Sequence, residues 1–140
     1  MSDEQTDKPA QPANALPSNG QRSVLCVEDE HFISELYTRA LTKAGYIVKV
    51  TYSGSTGLSE AMSGAYDIIL LDLMLPDMLG VEVLRRLRAE APDLKSKVII
   101  TTNLEQDDAT RAEIESRADG YLVKAEITPK QLVEFLNNLA

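Results

Sequence analysis

Several features that often identify a function are scarce in this sequence. Cys26 is the one cysteine, which excludes an intramolecular disulfide and a metal site built from several thiolates. Lysines and arginines total 14 against 22 aspartates and glutamates, and the formal net charge of -8 argues against general binding to nucleic acid or anionic lipid. No apolar run approaches the roughly 20 residues that span a bilayer, and the first residues lack the apolar core of a signal peptide. We therefore expect a cytoplasmic protein without direct nucleic-acid or membrane contacts.

Residues 1–21 differ in composition from the rest of the chain. They contain Pro9, Pro12 and Pro17 among polar side chains and few large apolar residues. Such a segment cannot bury enough apolar surface to offset the entropy lost on ordering it. We expect a disordered N-terminal tail, with a partner-docking segment as the alternative, followed by one domain over residues 22–140.

Short apolar segments alternate with amphipathic ones along that domain. Apolar runs predict strands at 23–27, 46–51, 68–72, 98–102 and 120–124. A helix is predicted after each strand; the fourth helix, 107–117, is mostly polar, with Ala109, Ala112 and Ile114 as its expected apolar contacts. Strand–helix alternation with short connections favours right-handed crossovers and a parallel sheet. The sequence thus predicts an α/β fold, with five strands in a doubly wound sheet and five helices.

The third predicted strand ends on a carboxylate. Residues 68–71 are all apolar, as is typical of a central strand that helices cover on both faces, and Asp72 follows directly. In open parallel sheets, functional sites form beyond the carboxyl ends of the strands. Asp72 is therefore a ligand, a nucleophile or a capping residue.

Polar side chains close three other predicted strands. Glu28 and Asp29 follow the first strand, Thr102 ends the fourth and Lys124 ends the fifth. If the first, third, fourth and fifth strands are neighbours, three carboxylates, a hydroxyl and an ammonium converge in one crevice. Mutual repulsion would raise the pKa of at least one carboxyl unless a cation is present, and Mg²⁺ binds carboxylates and phosphate oxygens. Threonine and lysine suit the oxygens of an incoming phosphoryl group.

Each of these residues also has an ordinary structural interpretation. A single aspartate at a strand end is usually a turn or capping residue, and a single lysine is usually a solvated charge. Their coincidence at four strand ends is much harder to produce by chance. For His31 we expect a surface position at a helix start rather than a metal ligand, and for Cys26 a buried, inert position.

These segments resemble the receiver domain of two-component response regulators. Residues 24–30 are similar to the family's first strand and acidic pair, and residues 70–80 to its phosphoacceptor strand and loop. Residues 98–102 resemble the strand that carries the signalling hydroxyl, and residues 118–124 the last strand with its lysine. The resemblance covers residues 23–140 and implies a flavodoxin-like sheet with strand order 2-1-3-4-5.

The resemblance also implies a role for each matching residue at the acidic end. Asp72 is expected to accept a phosphoryl group from a phosphohistidine on a sensor kinase. Asp29, Glu28 and Asp72 are expected to hold Mg²⁺, Glu28 through a water, with the backbone carbonyl of Met74 as a further ligand.

Three more residues are expected to act on the bound phosphoryl group or to report it. Thr102 is expected to donate a hydrogen bond to this group, and Lys124 to pair with it. Tyr121 is expected to report the state of Thr102 to the outer face of the domain; the alternative is a plain edge-strand aromatic.

Four residues depart from the family pattern. Glu28 stands where aspartate is commoner, Leu79 replaces a polar residue before Gly80, and Asn103 replaces a small residue after the threonine. Ala125 replaces a proline that usually follows a cis bond. Because a cis bond before alanine costs roughly 2.5–4 kcal/mol, we expect a trans or a strained loop there.

Three functions remain in competition at this point. The first is a stand-alone receiver, not a conventional enzyme, that signals by protein–protein interaction or phosphorelay as a monomer or weak homodimer. Its phosphodonor would be a sensor histidine kinase or a phosphotransfer protein, and its downstream protein target is unknown. The second is a degenerate receiver acting as a phosphorylation-independent scaffold. The third, a Mg²⁺-dependent phosphohydrolase of the haloacid-dehalogenase type, is disfavoured because Met74 stands where that chemistry needs a second aspartate.

Overall fold

The computed structural model describes residues 21–103 and 105–139. The strands are β1 (Ser23–Val27), β2 (Ile47–Thr51), β3 (Ile68–Asp72), β4 (Lys97–Thr102) and β5 (Gly120–Val123). The helices are α1 (His31–Lys43), α2 (Gly54–Met62), α3 (Gly80–Glu90), α4 (Asp108–Arg117) and α5 (Pro129–Asn137), with a 3-10 turn at Lys124–Glu126. The tail expected at residues 1–21 lies outside the described residues except for Gln21, whose side-chain amide donates to the Gly45 carbonyl at 3.0 Å.

All five strands are parallel and lie in the order β2-β1-β3-β4-β5, which confirms the predicted sheet. The central strands β1 and β3 are buried along their whole length, as their unbroken apolar runs predicted. The edge strand β2 buries only Thr51 fully. The strand order therefore brings the carboxyl ends of β1 and β3 next to each other at the middle of the sheet.

Helices cover both faces of the sheet, and alternate residues of the central strands divide between two hydrophobic cores. One core joins Leu25, Ile69 and Leu71 to side chains of α2 and α3 and to Ile114 of α4. The other joins Val24, Cys26, Ile68 and Leu70 to Tyr37 and Leu41 of α1 and to Leu132 and Leu136 of α5. The two cores therefore pack against the two faces of the sheet.

The start of α5 and the end of α1 contain residue types that favour helix boundaries. Thr128 and Gln131 form a capping box at the start of α5, with Pro129 in its first turn. Gly45, just beyond α1, has a φ of 100°, the left-handed conformation that glycine adopts without strain.

Helix α4 is attached to the domain by few apolar contacts. Ile114 is its one buried residue, whereas Ala109 and Ala112, both expected to face inward, are exposed. A helix with so few apolar residues has little hydrophobic periodicity, so the pattern predicted Ile114 correctly and the two alanines wrongly. Arginines of α3 supply polar links instead: Arg85 pairs with Glu113, and Arg88 donates to the Arg117 carbonyl at 2.8 Å.

None of the described helices has the length and apolar character needed to cross a bilayer.

Candidate functional site

Four predicted residues meet at the carboxyl edge of the sheet. The Lys124 ammonium nitrogen lies 2.7 Å from Oε1 of Glu28 and 3.3 Å from Oδ2 of Asp72. All three side chains are buried, and Glu28 and Asp72 are only 2% and 3% exposed. Asp29, half-buried, completes the group. Residues that are 96 positions apart in sequence, Glu28 and Lys124, are thus in direct contact.

The three carboxylates form a group that could hold a metal ion. Glu28, Asp29 and Asp72 each offer an oxygen, and these oxygens lie within 4.8 Å of one another. An all-oxygen set of carboxylates suits a hard cation such as Mg²⁺ and not a thiophilic metal. The residues present therefore fit the predicted ion.

Burial dominates the electrostatics of this cluster. Burial raises the pKa of Glu28 to about 7, although the bond from Lys124 opposes that rise. Burial also raises the pKa of Asp72 above its usual value, with Lys124 again opposing. Burial alone would lower the pKa of Lys124, but its bonds to Glu28 and Asp72 outweigh this and raise it. The lysine therefore stays charged and partly neutralises the two buried acids.

The loop after β3 holds the Asp72 carboxylate from its own backbone. The Met74 N–H donates to Oδ1 of Asp72 at 3.2 Å, and the Gly80 N–H donates to the Leu73 carbonyl at 2.7 Å. A Cβ on Gly80 would overlap the Asp72 carbonyl oxygen and lie 2.8 Å from Cα of Leu73. Only glycine lets the loop close this tightly against the strand end.

Asp77 anchors the same loop to α2, a contact the sequence did not indicate. Its carboxylate accepts from the backbone N–H groups of Gly54 at 2.6 Å and Ser55 at 2.9 Å. These bonds lower the pKa of Asp77. The contact joins a loop residue to the first two residues of α2, 23 and 22 positions earlier, and no periodic pattern exists in the loop to reveal it.

Thr102 is linked to Tyr121 through Gln106, another residue that sequence reasoning missed. The Gln106 side-chain amide donates to Oγ1 of Thr102 at 3.3 Å, and its backbone N–H donates to the Tyr121 hydroxyl at 3.2 Å. Thr102 is buried and Tyr121 is half-buried. The Arg111 guanidinium lies 4.2 Å from the centroid of the Tyr121 ring. The two predicted switch residues are therefore connected, but by an intermediate residue.

Three of the four residues that depart from the family pattern lie at the surface of this site, whereas Glu28 is buried. Leu79, Asn103 and Ala125 are exposed. Throughout residues 21–103 and 105–139 every peptide bond is trans, so the expected trans loop at Lys124 and Ala125 is confirmed. His31 lies at the first position of α1, as expected, and its ring stacks on Tyr52 at a centroid distance of 4.3 Å.

Comparison with known proteins gives the same family from sequence and structure. The family model of the response regulator receiver domain matches residues 24–137. The transcriptional regulatory protein CusR of Escherichia coli K12 is 39% identical over 101 residues, which cover 72% of this chain and 44% of CusR. The chain thus spans about half the length of the curated relatives it matches.

Solved structures of receiver domains are also similar to the chain. A receiver domain protein (CheY-like) from Methanospirillum hungatei JF-1 has a TM-score of 0.74 and 25% identity, covering 84% of this chain and 92% of that one. The BeF3-activated DrrB receiver domain has a TM-score of 0.69 and 27% identity, covering 84% and 95%.

Proposed function

This chain belongs to the response regulator receiver domain family, and from that membership we propose that Asp72 accepts a phosphoryl group from a phosphohistidine of another protein. Receiver domains are phosphoacceptor switches and not conventional enzymes. We propose that this domain catalyses only the transfer of a phosphoryl group to itself and its own dephosphorylation. The proposed receiver extends over residues 22–140, with residues 1–21 as a tail.

One observation carries the proposal: the Asp72 carboxylate is buried beside one cation and two further acids. In the proposed step, a carboxylate oxygen of Asp72 forms a bond to phosphorus while the bond from phosphorus to the donor histidine nitrogen breaks. That nitrogen keeps the electron pair. The Met74 N–H bond to Oδ1 of Asp72 supports the step because it fixes the carboxylate in one orientation.

Mg²⁺ is the proposed cofactor, held by Glu28, Asp29, Asp72 and the backbone carbonyl of Met74. When bound, the ion neutralises the acid cluster and the negative charge of the phosphoryl oxygens. The closeness of the three carboxylate oxygens, within 4.8 Å of one another, supports this assignment.

Lys124 and Thr102 are proposed to bind the oxygens of the transferred phosphoryl group. Lys124 lies 3.3 Å from the acceptor carboxylate, so its charge is already beside the reacting atoms. Tyr121 is proposed to change position when Thr102 engages the phosphoryl group, and its connection through Gln106 supports that role.

A sensor histidine kinase or a phosphotransfer protein is the proposed donor, and output is proposed to occur by protein binding or by relay of the phosphoryl group. CusR is a transcriptional regulatory protein by name, but for this chain the net charge of -8 favours protein partners over nucleic acid. A cytoplasmic location, a stand-alone arrangement and a monomer or weak homodimer stay predictions.

Phosphorylation by acetyl phosphate tests the proposal directly. The protein is incubated with Mg²⁺ and acetyl phosphate, and its intact mass is measured beside Asp72→Asn and a control, Asp93→Asn, at an exposed loop position between α3 and β4. The expected result is one phosphoryl adduct on the wild type and on the control, and none on Asp72→Asn.

The other outcomes separate the competing functions. Absence of an adduct on a folded, Mg²⁺-binding wild type would support the scaffold. Repeated hydrolysis of a simple phosphate ester such as p-nitrophenyl phosphate would support the phosphohydrolase.

A further inference from the structure

We propose that Gln106 is a positioning residue that orients the Thr102 hydroxyl and couples it to Tyr121. The inference deepens the proposed function, because it rests on Asp72 being the phosphoryl site. Its basis is that one residue bonds both partners: the side-chain amide donates to Oγ1 of Thr102 at 3.3 Å and the backbone N–H donates to the Tyr121 hydroxyl at 3.2 Å.

The side-chain bond orients the threonine for its proposed task. A hydroxyl oxygen can accept a hydrogen bond while its own proton is donated elsewhere. The amide of Gln106 occupies an acceptor position of Oγ1, so the threonine proton is directed to another acceptor. A phosphoryl oxygen on Asp72 provides one, because Asp72 lies opposite Thr101, the residue before Thr102, in the pairing of β3 with β4.

The bond from the Gln106 backbone N–H to the Tyr121 hydroxyl couples the position of Thr102 to that of Tyr121. Thr102 is 1% exposed and lies at the end of a buried strand, and a movement of its Oγ1 toward the phosphoryl site either stretches the bond from the Gln106 amide or draws the amide with it. If the amide of Gln106 follows the hydroxyl, the peptide N–H of the same residue shifts against the Tyr121 hydroxyl. The tyrosine therefore responds to Thr102 through this intermediate.

The elements around Gln106 are suited to such a response. The next residue, Asp107, caps α4 by accepting from the Thr110 N–H at 2.8 Å, and Arg111 of the same helix lies over the Tyr121 ring. Because α4 buries Ile114 alone, a shift at its first residues meets little resistance from the core.

The test separates occupation of Asp72 from the response of Tyr121. Beryllofluoride, a phosphoryl analogue, is added with Mg²⁺, and ¹⁹F NMR detects fluoride bound at the site. ¹³C-labelled tyrosine reports the chemical-shift change at Tyr121, assigned with Tyr121→Phe. Gln106→Met keeps the length of the side chain and the backbone N–H but removes the amide donor. Gln21→Met is the matched control, because its amide bonds the Gly45 carbonyl instead.

In Gln106→Met, bound fluoride should remain while the beryllofluoride-induced shift at Tyr121 falls by about twofold or more. The control should give the wild-type shift. A wild-type response in Gln106→Met with fluoride bound would overturn the coupling and leave the phosphoryl site intact. No bound fluoride in the wild type would instead overturn the phosphoryl site, and the coupling with it.

Gln106→Glu provides a second, directional test. A carboxylate accepts but does not donate, so it draws the Thr102 proton toward itself and away from the phosphoryl site. Beryllofluoride affinity is expected to fall about tenfold. An affinity equal to that of the wild type would show that Gln106 does not orient the hydroxyl.

Discussion

Lys124 and Glu28 form an ion pair of 2.7 Å between two buried side chains, and this contact is shorter than the 3.3 Å that separates Lys124 from Asp72. The resemblance to receiver domains led us to expect the lysine beside a phosphoryl group and Glu28 beside Mg²⁺. Glu28 instead directs its carboxylate onto the lysine, which donates a hydrogen bond to Oε1. Before phosphorylation, Lys124 thus serves as the counter-charge of two acids.

Replacing Lys124 by methionine is expected to destabilise the Mg²⁺-free protein strongly. Near pH 8 the substitution leaves two buried carboxylates without their cation, a change that costs about 3–5 kcal/mol in the free energy of unfolding. Urea denaturation with and without Mg²⁺ measures the loss, and Mg²⁺ should recover part of it. Lys95→Met, at an exposed position, should change stability by less than about 0.5 kcal/mol. An equally small effect at Lys124 would contradict the pairing.

The raised pKa of Glu28 predicts a pH dependence of stability with a definite sign. Burial raises this pKa from 4.5 to about 7, so the folded state holds the proton more tightly than the unfolded state. The stabilising contribution is fully present below pH 4.5 and is lost as the pH rises through about 7. Without Mg²⁺, the free energy of unfolding of the wild type should fall by about 1–3 kcal/mol relative to that of Glu28→Gln across this window. Denaturant unfolding at several pH values measures the difference, and parallel pH curves would refute the assignment.

Gly80→Ala tests the tight approach of the loop to Asp72. The added Cβ would overlap the backbone carbonyl of Asp72, which cannot move like a flexible side chain. We expect a loss of about 3 kcal/mol or more in the free energy of unfolding, and slower phosphorylation because the carboxylate shifts. Thermal unfolding and intact mass after acetyl phosphate measure the two effects. Gly45→Asn, at a left-handed position with open space around it, should leave phosphorylation unchanged; normal phosphorylation of Gly80→Ala would show that the loop adapts.

The meeting of the side chains at this site was predictable because the carboxyl ends of all strands in a parallel sheet lie at the same edge. The apolar run before Asp72 identified a central strand, and the same pattern located Glu28, Thr102 and Lys124 at neighbouring ends. What the pattern could not give was the pairing among them. How closely Lys124 approaches Glu28 and Asp72 depends on the reach of each side chain within the packed site, and sequence spacing does not encode these distances.

The contacts that loop residues make could not be predicted from the sequence either. Asp77 reaches the start of α2 only because the loops after β2 and β3 meet at the same edge of the sheet. Gln106 lies in the short connection between β4 and α4, where hydrophobic periodicity gives no signal. Both residues are polar and look like ordinary loop positions until the tertiary structure supplies their partners.

Helix α4 is expected to be the least protected helix in hydrogen exchange. Ile114 alone anchors it in the core, whereas α3 buries five residues, including Val83, Leu84 and Leu87. Local opening is easiest where few apolar contacts are lost, so amides of 108–117 should exchange much faster than those of α3. Mass spectrometry or NMR of deuterium uptake measures this directly.

A capping variant sharpens that prediction. Asp107→Ala removes the bond that the carboxylate accepts from the Thr110 N–H, and exchange in α4 should become severalfold faster. Ser53→Ala removes the corresponding cap of α2, where the hydroxyl accepts from the Thr56 N–H at 3.3 Å, and should leave α4 unchanged. If α4 amides are as protected as those of α3 in the wild type, the helix is held by more than Ile114 and its arginine links. Such a helix would be too firmly attached to move with Gln106.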